Sequence, residues 1–165
     1  MPDRSSFSRA TAGIVLLALM FVLAAPSAAA ANATPLSGTQ VIKTKLSFAS
    51  LRKKLEAAVQ ANKMYVVTRA SASGGAAGCG IKILGNLVIG VYHNDFAVRM
   101  LKASVASGIE APLRFYVTEN SDGAATLTYR EPSAIFAPYD NADLTRMAKE
   151  LDAIWRRIAA QATGG

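Results

Sequence analysis

Pro-Leu-Arg-Phe-Tyr-Val-Thr-Glu (112–119), Asn-Ser-Asp-Gly (120–123) and Ala-Ala-Thr-Leu-Thr-Tyr-Arg (124–130) read as two strands and the turn that joins them. The outer segments are rich in aromatic and β-branched residues, which suit a pleated, half-buried surface. The four residues between them are of the kind that close a β-hairpin. Glu131-Pro132-Ser133 breaks the return strand, because proline cannot donate to a ladder. A hairpin pairs its strands antiparallel, so the sheet is mixed or antiparallel and the fold class is α+β.

Upstream, Leu87 to Tyr92 (Leu-Val-Ile-Gly-Val-Tyr) is a near-continuous apolar run and predicts an interior strand. His93-Asn94-Asp95 ends it. Val98, Leu101 and Val105 then recur at helical spacing, which predicts a helix over Phe96 to Ala106, capped by Asn94 or Asp95 and stopped by Gly108. Gln40 to Leu46 alternates, with Val41, Lys43 and Lys45 on one side and Ile42, Thr44 and Leu46 on the other, a half-buried strand with its lysines in water. Ser47 caps the helix predicted over Phe48 to Asn62, where Phe48, Leu51, Leu55 and Val59 form the apolar stripe. Its basic run Arg52-Lys53-Lys54 reads as a solvated helix face.

Asn62-Lys63 is a turn, and Met64 to Ala70 a strand. Ser71 to Gly80 holds four glycines and little to bury, so it is expected to be a flexible loop or a close-approach site. It lacks the lysine and hydroxyl of a P-loop and the glycine spacing of a dinucleotide fold. Ile81 to Leu84 is a short apolar piece, and Ile135 to Tyr139 an irregular apolar crossing. Ala142 to Gln161 predicts a long helix with Leu144, Met147, Leu151, Ile154, Trp155 and Ile158 facing inward. Asp143 at its start and Arg156-Arg157 near its end match the helix dipole. The order is β-α-β-β-α-β-β-α, a single two-layer domain over residues 38–161 whose sheet is covered by about three helices.

The chain has 165 residues, enough for one ordinary domain. Its first 33 residues read as a leader. Arg4 and Arg9 precede an uncharged stretch from Ala10 to Ala25, and small residues follow, with A-x-A sites ending at Ala30 and Ala33. The apolar stretch is short for a bilayer span, which takes about 20 residues. Secretion to the periplasm or beyond is therefore expected, with no transmembrane segment left after cleavage; an uncleaved membrane anchor is the alternative. Removing Arg4, Arg9 and Asp3 lowers the net charge from +7 to +6. Basic residues spread along the chain, in an exported protein, point away from nucleic acid and toward anionic lipids, polymers or acidic proteins.

One cysteine and one histidine exclude a disulfide framework, a zinc finger and a c-type haem attachment motif. Cys79, flanked by Gly78 and Gly80, is a candidate reactive thiol or ligand. His93 is a candidate base or axial ligand at a strand end, and Asp95 could orient it if the backbone turns sharply. Glu110, Glu119 and Glu131 are candidate carboxylates, with Glu119 and Glu131 able to face each other across the hairpin and Arg99 and Arg114 available to pair with them. Phe136 and Tyr139 flank Pro138 and are candidates to line an apolar pocket or a dimer seam. The ligand-binding candidates are thus Cys79, His93, Asp95, Arg99, Phe136 and Tyr139. No triad, metal motif or nucleotide loop can be assembled, so no catalytic residue and no cofactor is expected.

Three long phrases carry a resemblance. They are Asn-Asp-Phe-Ala-Val-Arg-Met-Leu (94–101), Gly-Ile-Glu-Ala-Pro-Leu-Arg-Phe-Tyr-Val-Thr-Glu (108–119) and Tyr-Arg-Glu-Pro-Ser-Ala-Ile-Phe-Ala-Pro-Tyr (129–139). With the element order over about residues 40–160, the chain resembles the DUF302 family of bacterial proteins, a domain of unknown function. The resemblance implies a compact α/β sandwich able to form homodimers, and in some relatives a link to cytochrome c or other redox modules. Many relatives have Gly-Asn-Pro where this chain has His93-Asn94-Asp95, and no site residue carries over. Two functional readings follow. One is a non-catalytic module that holds a small molecule or a periplasmic redox partner, as a homodimer. The other is a redox or sulfur-metabolism accessory protein using Cys79 or His93 with haem or a metal.

Overall fold

The structure is a computed structural model that describes residues 35–165; the leader reading, on residues 1–33, lies outside them. The elements run β1 (Thr39–Ser47), α1 (Phe48–Ala61), β2 (Tyr65–Ala70), α2 (Ala72–Gly78), β3 (Asn86–Tyr92), α3 (Asn94–Ala103), β4 (Leu113–Glu119), β5 (Ala124–Arg130), α4 (Pro132–Phe136) and α5 (Ala142–Thr163). Single 3-10 turns follow α3 at Ala106–Glu110 and α4 at Ala137–Tyr139. The five strands form one sheet in the order β1-β5-β4-β3-β2, and each neighbouring pair is antiparallel. The class is α+β, and the choice between mixed and antiparallel resolves to antiparallel.

Alternation along the strands sets the two faces. In β4, Leu113, Phe115 and Val117 are buried while Arg114 and Tyr116 are exposed. In β3, Leu87, Ile89 and Val91 pair with Val117, Phe115 and Leu113 and share their burial. The helices α1, α3 and α5 cover this inner face. Leu51, Leu55 and Val59 of α1 are fully buried, as the stripe in the sequence requires. Trp155 of α5 stacks on Phe115 with 5.5 Å between ring centroids, and Tyr129 of β5 tilts against Phe115 at 5.3 Å.

Three stretches depart from expectation. Ser71 to Gly80 is not a loop: most of it is α2. Alanine interleaves the glycines, and the first-turn N–H groups all find partners. Gly74 donates to Ser71 Oγ at 3.0 Å, and Ala72 and Ser73 donate to Asn86 Oδ1 at 2.9 and 3.3 Å. These bonds offset the roughly 1 kcal/mol that each glycine costs a helix. The helix after β3 begins at Asn94, with His93 rather than Asn94 or Asp95 as its cap, and it ends at Ala103, before Gly108. It stops there because Asn141 takes the Ala103 carbonyl at 3.1 Å. Gly108 lies in the 3-10 turn beyond. The expected irregular crossing at Ile135–Tyr139 is the end of α4 and a 3-10 turn, started by Pro132 in the first helical turn. The short apolar piece Ile81 to Leu84 lies outside every helix and strand, and Ile81, Ile83 and Leu84 are exposed.

Gly90 interrupts the apolar run of β3 because two neighbours crowd it. A Cβ there would overlap Thr68 Oγ1 and come within 2.8 Å of Pro112 Cγ. Gly90→Ala is expected to destabilise the fold by about 1–3 kcal/mol, the usual cost of overpacking, read as a lower urea midpoint at unchanged slope. Burial raises the pKa of the Tyr129 phenol above its ordinary value, and the Glu131 carboxylate adds to this. A raised folded-state value means that this stability is present below the unfolded pKa and is lost as pH climbs through the folded one. Alkaline titration of the wild type above about pH 10 should therefore lose stability through Tyr129, and Tyr129→Phe should flatten that part of the stability–pH curve.

Candidate ligand-binding crevice

α3 and α5 both lie on the inner face, but near the C-terminal end of β3 they do not close on the sheet. Between them is a crevice of about 30 Å³. Val91 and Leu113 form its floor, Phe96, Ala97 and Met100 one wall, Met147, Leu151 and Trp155 another. Met64, Ala111, Phe136, Tyr92 and His93 complete it. The lining is almost wholly apolar. Its three methionines are buried, and their unbranched thioether chains are the most adaptable of core side chains.

Trp155 is 1% exposed, and its buried indole Nε1 has no hydrogen-bond partner among the described residues. A buried N–H left without an acceptor costs about 1–3 kcal/mol, so native structures nearly always supply one. Here a polar donor belongs to a side chain that lines an apolar space.

His93 is positioned by the turn from β3 into α3. Its Nδ1 accepts the backbone N–H of Asp95 at 3.2 Å, so in the neutral ring the proton sits on Nε2. Tyr65 stacks on the imidazole at 5.7 Å, and Phe96 meets it edge-on at 5.9 Å. The Asp95 carboxylate is 87% exposed and 4.0 Å from Nδ1, so the orienting group is the Asp95 backbone and not its side chain.

The sequence-derived set divides. His93 and Phe136 line the crevice. Arg99 does not: it is bound to Glu150 through two bonds of 2.7 Å and sits over the Phe96 ring at 5.3 Å, tying α3 to α5 beside the crevice. That bidentate bond raises the Arg99 pKa and lowers that of Glu150. Tyr139 donates to Glu110 Oε1 at 2.9 Å, which raises the phenol pKa and joins the two 3-10 turns. Cys79 is exposed at the end of α2, is not part of the crevice lining, and is a free thiol. Glu119 and Glu131 do not face each other. Glu119 accepts the Gly85 N–H at 2.8 Å, and Glu131 binds Arg156 at 2.9 Å. Among the described residues no three His, Cys, Asp or Glu side chains come together as a metal set, and no helix is long and apolar enough to cross a membrane.

Met64, Ala97, Met100, Met147 and Trp155 were not singled out as site residues. Helical spacing marks Met147 and Trp155 as inward-facing, but it cannot show that two helices leave a gap between them.

A five-stranded antiparallel sheet covered on one face by α1, α3 and α5 places the chain among two-layer α+β proteins. A solved structure with this fold is an uncharacterized conserved protein, DUF302, from Bacillus stearothermophilus, which matches with a TM-score of 0.66 at 15% identity and covers 78% of this chain and 97% of its own. The family model described as a domain of unknown function, DUF302, matches residues 40–162, and the chain belongs to that family. None of the curated proteins matches it.

As a cap, His93 should contribute like other side-chain caps. His93→Ala is expected to cost about 1 kcal/mol, and His93→Asn to recover most of it, in urea unfolding followed by far-UV circular dichroism.

Proposed function

We propose that this chain is an exported, non-catalytic binding module whose ligand site is the crevice between α3, α5 and the sheet. The observation that carries the reading is the Trp155 indole N–H, buried without an acceptor in a side chain that lines that space. Export rests on the leader pattern of residues 1–33. A ligand that suits the crevice is small, uncharged and mostly apolar, with one hydrogen-bond acceptor. Water fits poorly, because an ordered buried water needs two to four polar partners and this wall is nearly all apolar. A cation fits poorly as well, because an N–H donor repels it. The crevice holds little more than a diatomic molecule as it stands, and larger ligands enter only if Met64, Met100 or Met147 change rotamer.

Trp155 is the one tryptophan of the chain, so its indole N–H gives a single, assigned NMR signal. Diethyl ether and pentane have nearly the same shape but differ in one acceptor oxygen. Ether should shift the Trp155 signal saturably and pentane much less, while Ala97→Leu, which fills the crevice, should abolish the ether response. Equal responses in wild type and Ala97→Leu, or no saturation, would sink the reading.

A homodimer is favoured by a separate observation. Val98, Leu101, Val105 and Ile109 stand exposed on the outer side of α3 and the turn after it, at 52%, 45%, 79% and 83%. Such a cluster fits the apolar centre of an interface between two copies.

A further inference from the structure

The face of the sheet opposite the long helices carries a second pattern, independent of the crevice. Tyr116, Thr128 and Val41 form a row across β4, β5 and β1, and Tyr116 and Val41 are exposed. On one side of that row Lys43 pairs with Thr126; on the other lies Arg114, opposite Gly90. Lys45 continues the exposed alternation of β1. The strand residues that alternate onto this face include no Asp or Glu. Among the described residues, Lys43, Lys45 and Arg114 form no ion pair. Arg130, on the same face by its pairing with Thr39, has a buried Nε with no partner.

Lysines on an edge strand have an ordinary explanation, since they discourage edge-to-edge aggregation, and β1 is an edge. That explanation does not reach Arg114. It sits on β4, the middle strand of five, where no edge needs protecting. A second copy is not the partner on this face, because docking two copies here would set these cations against like charges.

We propose that this basic sheet face, centred on Arg114, Lys43 and Tyr116, docks an acidic surface of another protein. Arginine and tyrosine are enriched at the centres of protein interfaces. A lipid surface would call for a cluster of exposed aliphatic side chains, and the row described here exposes one, Val41. Single-stranded nucleic acid would call for several aromatic platforms, and the basic part of this face exposes one, Tyr116.

The test uses the folded chain and a fluorescent poly-glutamate peptide as the probe, read by anisotropy at rising salt. Wild type should bind, and binding should weaken as salt screens it. Lys43→Glu with Arg114→Glu should weaken binding by about tenfold or more. Lys53→Glu with Lys54→Glu, an equal charge change on the exposed face of α1, should leave it within about twofold. If both pairs weaken binding equally, the peptide follows net charge and the docking face is wrong. Tighter binding of a single-stranded oligonucleotide or of phosphatidylglycerol vesicles, with the same dependence on Lys43 and Arg114, would likewise overturn the acidic-protein partner. So would a wild-type dimer in which hydrogen exchange is slowed across β1 and β4. Arg114→Gln, which removes the charge and leaves a polar side chain, serves if the double charge reversal fails to fold.

Discussion

The stack of Trp155 on Phe115 is the contact on which the rest of the molecule depends. It joins the longest helix to the middle strand, with ring planes 12° apart. Both side chains are almost fully buried, and large aromatics contribute more apolar area to a core than any other residues. Around it the other contacts fall into place. Tyr129 leans on the same Phe115 ring from β5, and Leu51, Leu55 and Val59 bring α1 in alongside. The same stack fixes where α5 can lie, and so fixes the gap that α3 leaves beside it. The crevice is thus a product of how the core is built, and one core residue, Trp155, also lines it.

Much of the fold was legible because it rests on period and punctuation. The hairpin at 112–130, the stripe of α1 and the inward face of α5 each repeat over two or more turns or pleats, and each matched. In two of the places where structure and expectation part, a distant residue decides the local structure. α2 exists because Asn86 reaches back to Ala72 and Ser73, and α3 stops because Asn141 reaches Ala103. No window of neighbouring residues contains those facts. The site was legible in part for the same reason. His93 and Phe136 stand at element ends, where sequence singles them out, whereas Met64, Met100 and Met147 look like any other core methionine. Arg99 stands out as a charge and Tyr139 as an aromatic beside Pro138, but their polar groups are bound to Glu150 and Glu110.

The two faces of the sheet differ in what holds them. The inner face holds the core and the crevice, so changes there alter stability together with any binding proposed for the crevice. The outer face carries charge that the fold does not need, and Arg114 shows this most clearly, since it lies exposed on the strand best protected by neighbours. On the proposed docking role, substitutions there would change recognition without changing the core, which the inner face does not permit.

The strand order has a consequence for how the chain reaches this state. β2 through β5 are neighbours in sequence as well as in space, but β1 joins the sheet beside β5, and the Thr44 hydroxyl meets the Ala125 carbonyl across 81 residues. Pairing β1 closes a longer loop than pairing any of the sequential neighbours β2 to β5, so the meander of β2 to β5 is expected to form ahead of it. Until β1 arrives, β5 is the open edge, with the backbone beside Ala125, Leu127 and Tyr129 unpaired. A strand with an open edge and one apolar face is a template for pairing between chains. The time that β1 takes to dock is therefore the interval in which a freshly synthesised copy is most prone to aggregate.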